Sequence, residues 1–89
     1  MSTVFLALQT NEETRPIIEA ILQDNPGAVV DEQPAMVKIN AERELIVRRE
    51  TIEEITGNDY DLQSLQVNMI TMSGNLDQTD DEIRLFWKA

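Results

Sequence analysis

The sequence predicts an α+β fold: one compact domain over residues 1–89, in the order β-α-β-β-β-α-β-β, with a mostly antiparallel sheet and two helices. Three observations carry that prediction. Short apolar or alternating runs are separated by Pro, Gly, Asn and Asp, as strands are. Two segments place their apolar residues at helical spacing instead. Three of the strand-like runs follow one another through turns too short for a crossover helix, which favours antiparallel pairing.

The apolar run Thr3 to Gln9 reads as the first strand. Asn11 is placed to cap a helix, with Glu12 and Glu13 in its first turn and Pro16 at an early position. Ile17, Ile18, Ile21 and Leu22 form its apolar stripe, and Asn25-Pro26-Gly27 ends it. Ala28 to Glu32 reads as a strand broken by Gln33-Pro34. Val37 and Ile39 alternate with Met36, Lys38 and Asn40 in the next one. Ala41-Glu42-Arg43 is a turn, and Leu45 to Arg49 a strand that completes a hairpin or meander.

Thr51-Ile52-Glu53-Glu54 matches a capping box and Gly57 a helix stop, so a short helix turns Ile52 and Ile55 inward. Asp61 to Leu65 adds an irregular turn. Gln66 to Ser73 reads as a strand, followed by a Gly74-Asn75 turn and an acidic loop from Asp77 to Asp81. In the last strand Ile83, Leu85 and Trp87 alternate with Glu82, Arg84 and Phe86.

Composition narrows the function. The 89 residues include no histidine and no cysteine. Histidine is the usual general acid or base near neutral pH. With cysteine it supplies most ligands for zinc, copper, haem iron and iron–sulfur clusters. The chain is therefore poorly equipped for redox chemistry, soft-metal binding or thiol catalysis and is expected to act by binding, with no cofactor, metal or catalytic residue assigned, although its carboxylates, Ser, Thr, Lys and Tyr60 keep an enzyme open. Seventeen acidic residues against seven basic ones give a net charge of −10. That charge opposes nucleic-acid binding, which relies on Lys and Arg against phosphates, and opposes anionic membrane surfaces. It favours steering toward a basic patch on a protein partner. No apolar run approaches the ~20 residues of a membrane span, and Met1-Ser2-Thr3-Val4 lacks the positive start of a signal peptide, so a cytoplasmic location is expected.

The run Val67-Asn68-Met69-Ile70-Thr71-Met72-Ser73 is the candidate contact segment. As a strand it would carry Val67, Met69, Thr71 and Ser73 on one face and Asn68, Ile70 and Met72 on the other. Neither face is cleanly apolar. One reading is a central strand covered on both sides. The other is a face that presents Asn68, Ile70 and Met72 to a second protein, methionine being suited to adaptable surfaces. Asp77, Asp80, Asp81 and Glu82 lack the spacing and central Gly of a calcium loop and read as solvated. Arg48 and Arg49 could bind an anion, but as adjacent strand residues they point to opposite faces and read better as partners of nearby acids.

Several segments resemble, in order and without gaps, the effector (regulatory) components of bacterial multicomponent phenol hydroxylases, relatives of the toluene and soluble methane monooxygenase regulatory proteins. They are Asp24-Asn25-Pro26-Gly27, Gln33-Pro34-Ala35-Met36, Arg48-Arg49-Glu50-Thr51-Ile52-Glu53-Glu54 and Val67-Asn68-Met69-Ile70-Thr71-Met72-Ser73-Gly74-Asn75, with Asp80-Asp81-Glu82 before the last strand. The resemblance runs from about Leu6 to Trp87. It implies a cofactor-free partner of an oxygenase that holds a carboxylate-bridged di-iron centre and draws electrons from a flavin and iron–sulfur reductase. It also implies that the segment from Val67 to Gly74 meets the oxygenase. Asn68 and Gly74 match residues of the methane branch and Thr71 keeps a hydroxyl, whereas Ile70 and Met72 stand where that branch has hydroxyl side chains. The expected contact residues are Asn68 and Thr71 for hydrogen bonds, Ile70 and Met72 for apolar contact, and Ser73 and Gly74 for close backbone approach. Two other functions fit the composition: an acidic inhibitor or mimic that blocks a basic site, and a small enzyme built on carboxylates such as Asp80 and Glu82.

Overall fold

The computed structural model describes residues 3–87. Strand β1 (Thr3–Gln9) lies between β3 (Met36–Glu42) and β5 (Met69–Ser73), and β2 (Val29–Gln33) extends the far side of β3. All pairings in this four-stranded sheet are antiparallel. A second antiparallel sheet has the order β4-β7-β6, from β4 (Glu44–Arg48), β7 (Glu82–Phe86) and β6 (Asn75–Gln78). The predicted α+β order is found, with β6 added where the sequence reads as a turn and acidic loop.

The expected hairpin lies one connection earlier than predicted. It joins β2 to β3 through Pro34 and Ala35, with Ala35 at φ 63°. Pro at the first corner of a two-residue turn fixes φ near −65°, and the next residue takes positive φ. The turn after β3 instead carries the chain out of the first sheet into β4 of the second, through Arg43 at φ 70°.

Helix α1 (Thr14–Asp24) buries Thr14, Ile17, Ala20 and Ile21 and packs on α2 (Arg49–Thr56) and β4. Its start is fixed by Asn11: Oδ1 accepts from Thr14 N at 2.9 Å, and Asn11 N donates to Thr14 Oγ1 at 3.0 Å. This reciprocal cap satisfies donors that a helix N-terminus leaves over. Helix α2 begins at Arg49, ahead of the predicted capping box, because Arg49 N donates to Asp81 O at 2.9 Å. Thr51 is buried within the helix and does not cap it. Gly57 ends α2 as predicted, at φ 75° with its N–H on Glu53 O.

One core fills the space between the sheets and helices. Val4, Leu6 and Leu8 of β1 meet Ile17 and Ile21 of α1, Val37 and Ile39 of β3, Leu45 and Val47 of β4, Ile52 of α2, and Ile83 and Leu85 of β7. Trp87 does not continue the inward alternation of Ile83 and Leu85. It is 47% exposed, and its indole N–H donates to Thr3 O at 2.9 Å. No helix among the described residues is long and apolar enough to cross a membrane.

Candidate partner-binding surface

The segment from Leu62 to Leu76 contains no charged residue, although 27% of the chain is charged. Asp59 and Asp61 precede it and Asp77, Asp80 and Asp81 follow it. It begins as a single 3-10 turn over Leu62–Ser64, where Asp61 Oδ1 accepts from Gln63 N at 3.0 Å. The helical turn α3 (Leu65–Asn68) continues it, and β5 begins only at Met69. The predicted strand from Gln66 is therefore half helix. Leu62, Leu65 and Asn68, spaced three apart, all turn inward and are at most 4% exposed.

That correction changes which residues share a face. Asn68 is buried rather than outward, and its Oδ1 accepts from Asn11 Nδ2 at 2.9 Å. Val67, its neighbour on the turn, is 77% exposed, the most exposed of the large hydrophobics among the described residues. A bulge then interrupts the pairing of β5 with β1. Ala7 faces Thr71 and Leu8 faces Met69, which leaves Ile70 without a partner. A bulge inserts one residue and breaks the two-residue alternation of faces. Ile70 and Thr71, expected on opposite faces, are consequently both exposed, with Ile70 at 47%.

The other expected contacts, Met72, Ser73 and Gly74, are partly buried and also engaged within the fold. Met72 and Met69 pack against the core, half-buried. Ser73 Oγ accepts from Phe5 N at 3.1 Å. Gly74 sits at φ 105° where the chain passes from β5 to β6, and a Cβ there would lie 3.0 Å from Val4 Cγ1 and 3.1 Å from Phe86 O. Its missing side chain is what lets the two sheets meet. The outward surface is thus Val67, Ile70 and Thr71, on an edge strand and the turn leading into it. Sequence reasoning set Val67 and Ile70 on opposite faces of one strand, whereas Val67 belongs to the helical turn before the strand and both side chains are exposed; the uncharged run flanked by acids was the signal that marks the whole segment.

Around this surface the chemistry is sparse. Among the described residues no group of three or more carboxylates is arranged to hold a metal ion. Arg49 is engaged by Asp81, Nη2 to Oδ1 at 2.8 Å, and lies 3.9 Å from Glu53. Glu53 Oε2 also accepts from Tyr60 N at 2.9 Å. Burial, with Glu13 and Asp61 nearby, pushes the Tyr60 phenol up to about 12.

The model of the MmoB/DmpM family matches residues 2–86. The chain belongs to that family. Among MmoB/DmpM relatives, the stimulatory component DmpM of phenol 2-monooxygenase from Pseudomonas sp. (strain CF600) is 49% identical over 87 residues, 98% of this chain and 97% of the relative. The effector subunit of the alkene monooxygenase system from Xanthobacter autotrophicus (strain ATCC BAA-1158 / Py2) is 29% identical, over 82% of this chain and 74% of that one. A chain from the structure of a phenol hydroxylase–regulatory protein complex superposes with a TM-score of 0.92 at 43% identity, covering 97% of this chain and 99% of that one. The soluble methane monooxygenase regulatory protein B shares the fold, with a TM-score of 0.75 at 22% identity over 97% of this chain and 65% of its own.

Proposed function

We infer that this MmoB/DmpM-family chain is the effector component of a bacterial multicomponent phenol hydroxylase. It binds the oxygenase component, and the oxygenase, with its carboxylate-bridged di-iron centre, carries out the oxidation. The chain stimulates hydroxylation of the aromatic ring and couples it to NADH and O2 use, with electrons from a separate flavin and iron–sulfur reductase. The chain contributes contact energy and no reacting group. The observation that carries this reading is the uncharged surface of Val67, Ile70 and Thr71, set in a chain of net charge −10. A partner can desolvate that surface without stripping water from ions. The surrounding acids then steer encounter more than they add affinity.

Two relatives support the choice of partner: the 49% identical relative is a stimulatory component of phenol 2-monooxygenase, and the 43% identical structure comes from a phenol hydroxylase complex. An effector must bind one state of its partner better than another, or it shifts nothing. A difference of ~1–3 kcal/mol moves the equilibrium about 5–150-fold. An acidic mimic would place its charges at the contact itself, unlike this segment.

The deciding experiment is steady-state hydroxylation by a reconstituted oxygenase and reductase, titrated with the purified chain. Turnover should rise toward a plateau near one chain per active site, with more product per NADH. Turnover that only falls would establish the inhibitor instead. Product formed by the chain alone would establish an enzyme.

A further inference from the structure

Asn11 lies outside the contact segment, yet its side chain spans the distance between a helix start and that segment. Its two amide atoms have different tasks. Oδ1 accepts from Thr14 N at 2.9 Å, and Nδ2 donates to Asn68 Oδ1 at 2.9 Å. The chemistry fixes the polarity along this chain of groups. The backbone N–H of Thr14 can only donate, so the atom of Asn11 that faces it is the oxygen. The nitrogen of Asn11 is then left to face Asn68, so Asn68 must turn its own oxygen toward Asn11. Its Nδ2 is directed elsewhere and makes no hydrogen bond among the described residues.

We propose that Asn11 is a positioning residue for the docking surface: by fixing the Asn68 amide it holds the α3–β5 junction in the form that turns Val67, Ile70 and Thr71 outward. This rests on the effector reading above. The junction needs such a tie. Asn68 is the last residue of a four-residue helical turn, too short to be stable alone, and the Ile70 bulge lies two residues on. Hydrogen bonding to Asn11 fixes Asn68, where the turn gives way to the strand, in space. Because the same Asn11 caps α1, the contact surface is registered against the helix that packs on β4.

The bland role, a helix cap and nothing more, is separable by substitution. In Asn11→Ser the hydroxyl still accepts from Thr14 N, but it is too short to reach Asn68. In Asn11→Asp one carboxylate oxygen keeps the cap. The other accepts from Asn68 once that amide turns over and presents its nitrogen, so the tie is restored with reversed polarity.

The experiment has two arms. In the isolated chain, amide hydrogen exchange at Gln66–Ile70 should rise about 5–10-fold in Asn11→Ser, one lost hydrogen bond's worth. It should return close to the original in Asn11→Asp, with Val37–Ala41 unchanged in both. In the reconstituted oxygenase assay, the concentration of chain for half-maximal stimulation should rise by a similar factor in Asn11→Ser and recover in Asn11→Asp. Equal behaviour of the two variants in the exchange arm, whether both unchanged or both loosened, overturns the proposal. So does a loosened junction that leaves half-maximal stimulation unmoved. An exchange arm that behaves as stated, beside an unsubstituted chain that stimulates no oxygenase, overturns the effector reading and leaves the tie standing.

Discussion

The side chain of Asn25 occupies the edge of β4 as a neighbouring strand would. Its Oδ1 accepts from Ile46 N at 3.0 Å and its Nδ2 donates to Ile46 O at 2.6 Å, while Nδ2 also donates to Ile21 O at 2.7 Å. One amide thereby closes the end of α1, completes a strand edge and ties the two together. The sequence shows Asn25-Pro26-Gly27 as a helix stop, and it is also a bracket between elements 21 residues apart.

Asn25→Ala should therefore cost more than an ordinary helix-end substitution. It strands the N–H and C=O of Ile46 and the C=O of Ile21, which are part-buried. Each unpaired group costs about 1–3 kcal/mol if water does not reach it, so a loss of about 2–4 kcal/mol is expected for partly wetted groups. Urea unfolding should show a lower midpoint with an unchanged slope. Asn25→Asp keeps the acceptor for Ile46 N but loses both donors, and should fall between.

Gly74→Ala tests the sheet crossing. The substitution must adopt φ 105° and place a methyl 3.0 Å from Val4 Cγ1 and 3.1 Å from the Phe86 carbonyl oxygen. Backbone strain and overpacking each cost about 1–3 kcal/mol, so a loss of about 2–5 kcal/mol is expected. The resemblance implies that this glycine lets a partner come close. The structure gives it a prior duty inside the chain, and thermal unfolding of the isolated variant reads that duty directly.

Much of the fold is legible because its pattern is carried by apolar residues. Val37 and Ile39 alternate and are buried together, and Ile17 and Ile21 mark the inward stripe of α1, whereas Ala41, read as the start of a turn, is the last inward residue of β3. The candidate contact segment is not legible, for three physical reasons. The helical spacing Leu62, Leu65, Asn68 ends on a polar residue, so its period is hidden, and Val, Ile, Met and Thr downstream read as strand. The bulge at Ile70 leaves no mark in composition, yet it moves Thr71 to the face of Ile70. Burial of Asn68 depends on Asn11, which is 57 residues away. The start of α2 fails for a similar reason: its capping acceptor is the carbonyl of Asp81, a tertiary partner.

Tyr60 gives the fold a sensitivity to alkaline pH. Its phenol is raised from 10.0 to about 12 by burial first, then by Glu13 and Asp61. A raised folded value means that the native state holds the proton more tightly than the unfolded chain does. The associated stability is complete below pH 10 and is lost as pH climbs from about 10 to about 12. As Tyr60 is the chain's one tyrosine, tyrosinate absorbance reports the group without overlap. Tyr60→Phe should remove this part of the pH dependence. It should cost little at neutral pH, because the Tyr60 hydroxyl is buried with no hydrogen-bond partner among the described residues.

The effector reading makes its sharpest demand at neighbouring residues of β5. Ile70 is exposed at the bulge and Met72 packs against the core, so the two should fail in different ways. Ile70→Ser, alone or with Val67→Ser, removes apolar area from the outward surface only. Thermal stability should change by less than about 0.5 kcal/mol. Half-maximal stimulation should need about 10-fold more chain per residue changed, as an apolar anchor worth ~1–2 kcal/mol would give. Met72→Ala should do the reverse, losing about 1–3 kcal/mol of stability from partial burial while docking of the folded fraction stays near its original strength. If Met72→Ala weakened docking with no loss of stability, and Ile70→Ser left docking intact, the face opposite to the one described would be the one that meets the oxygenase.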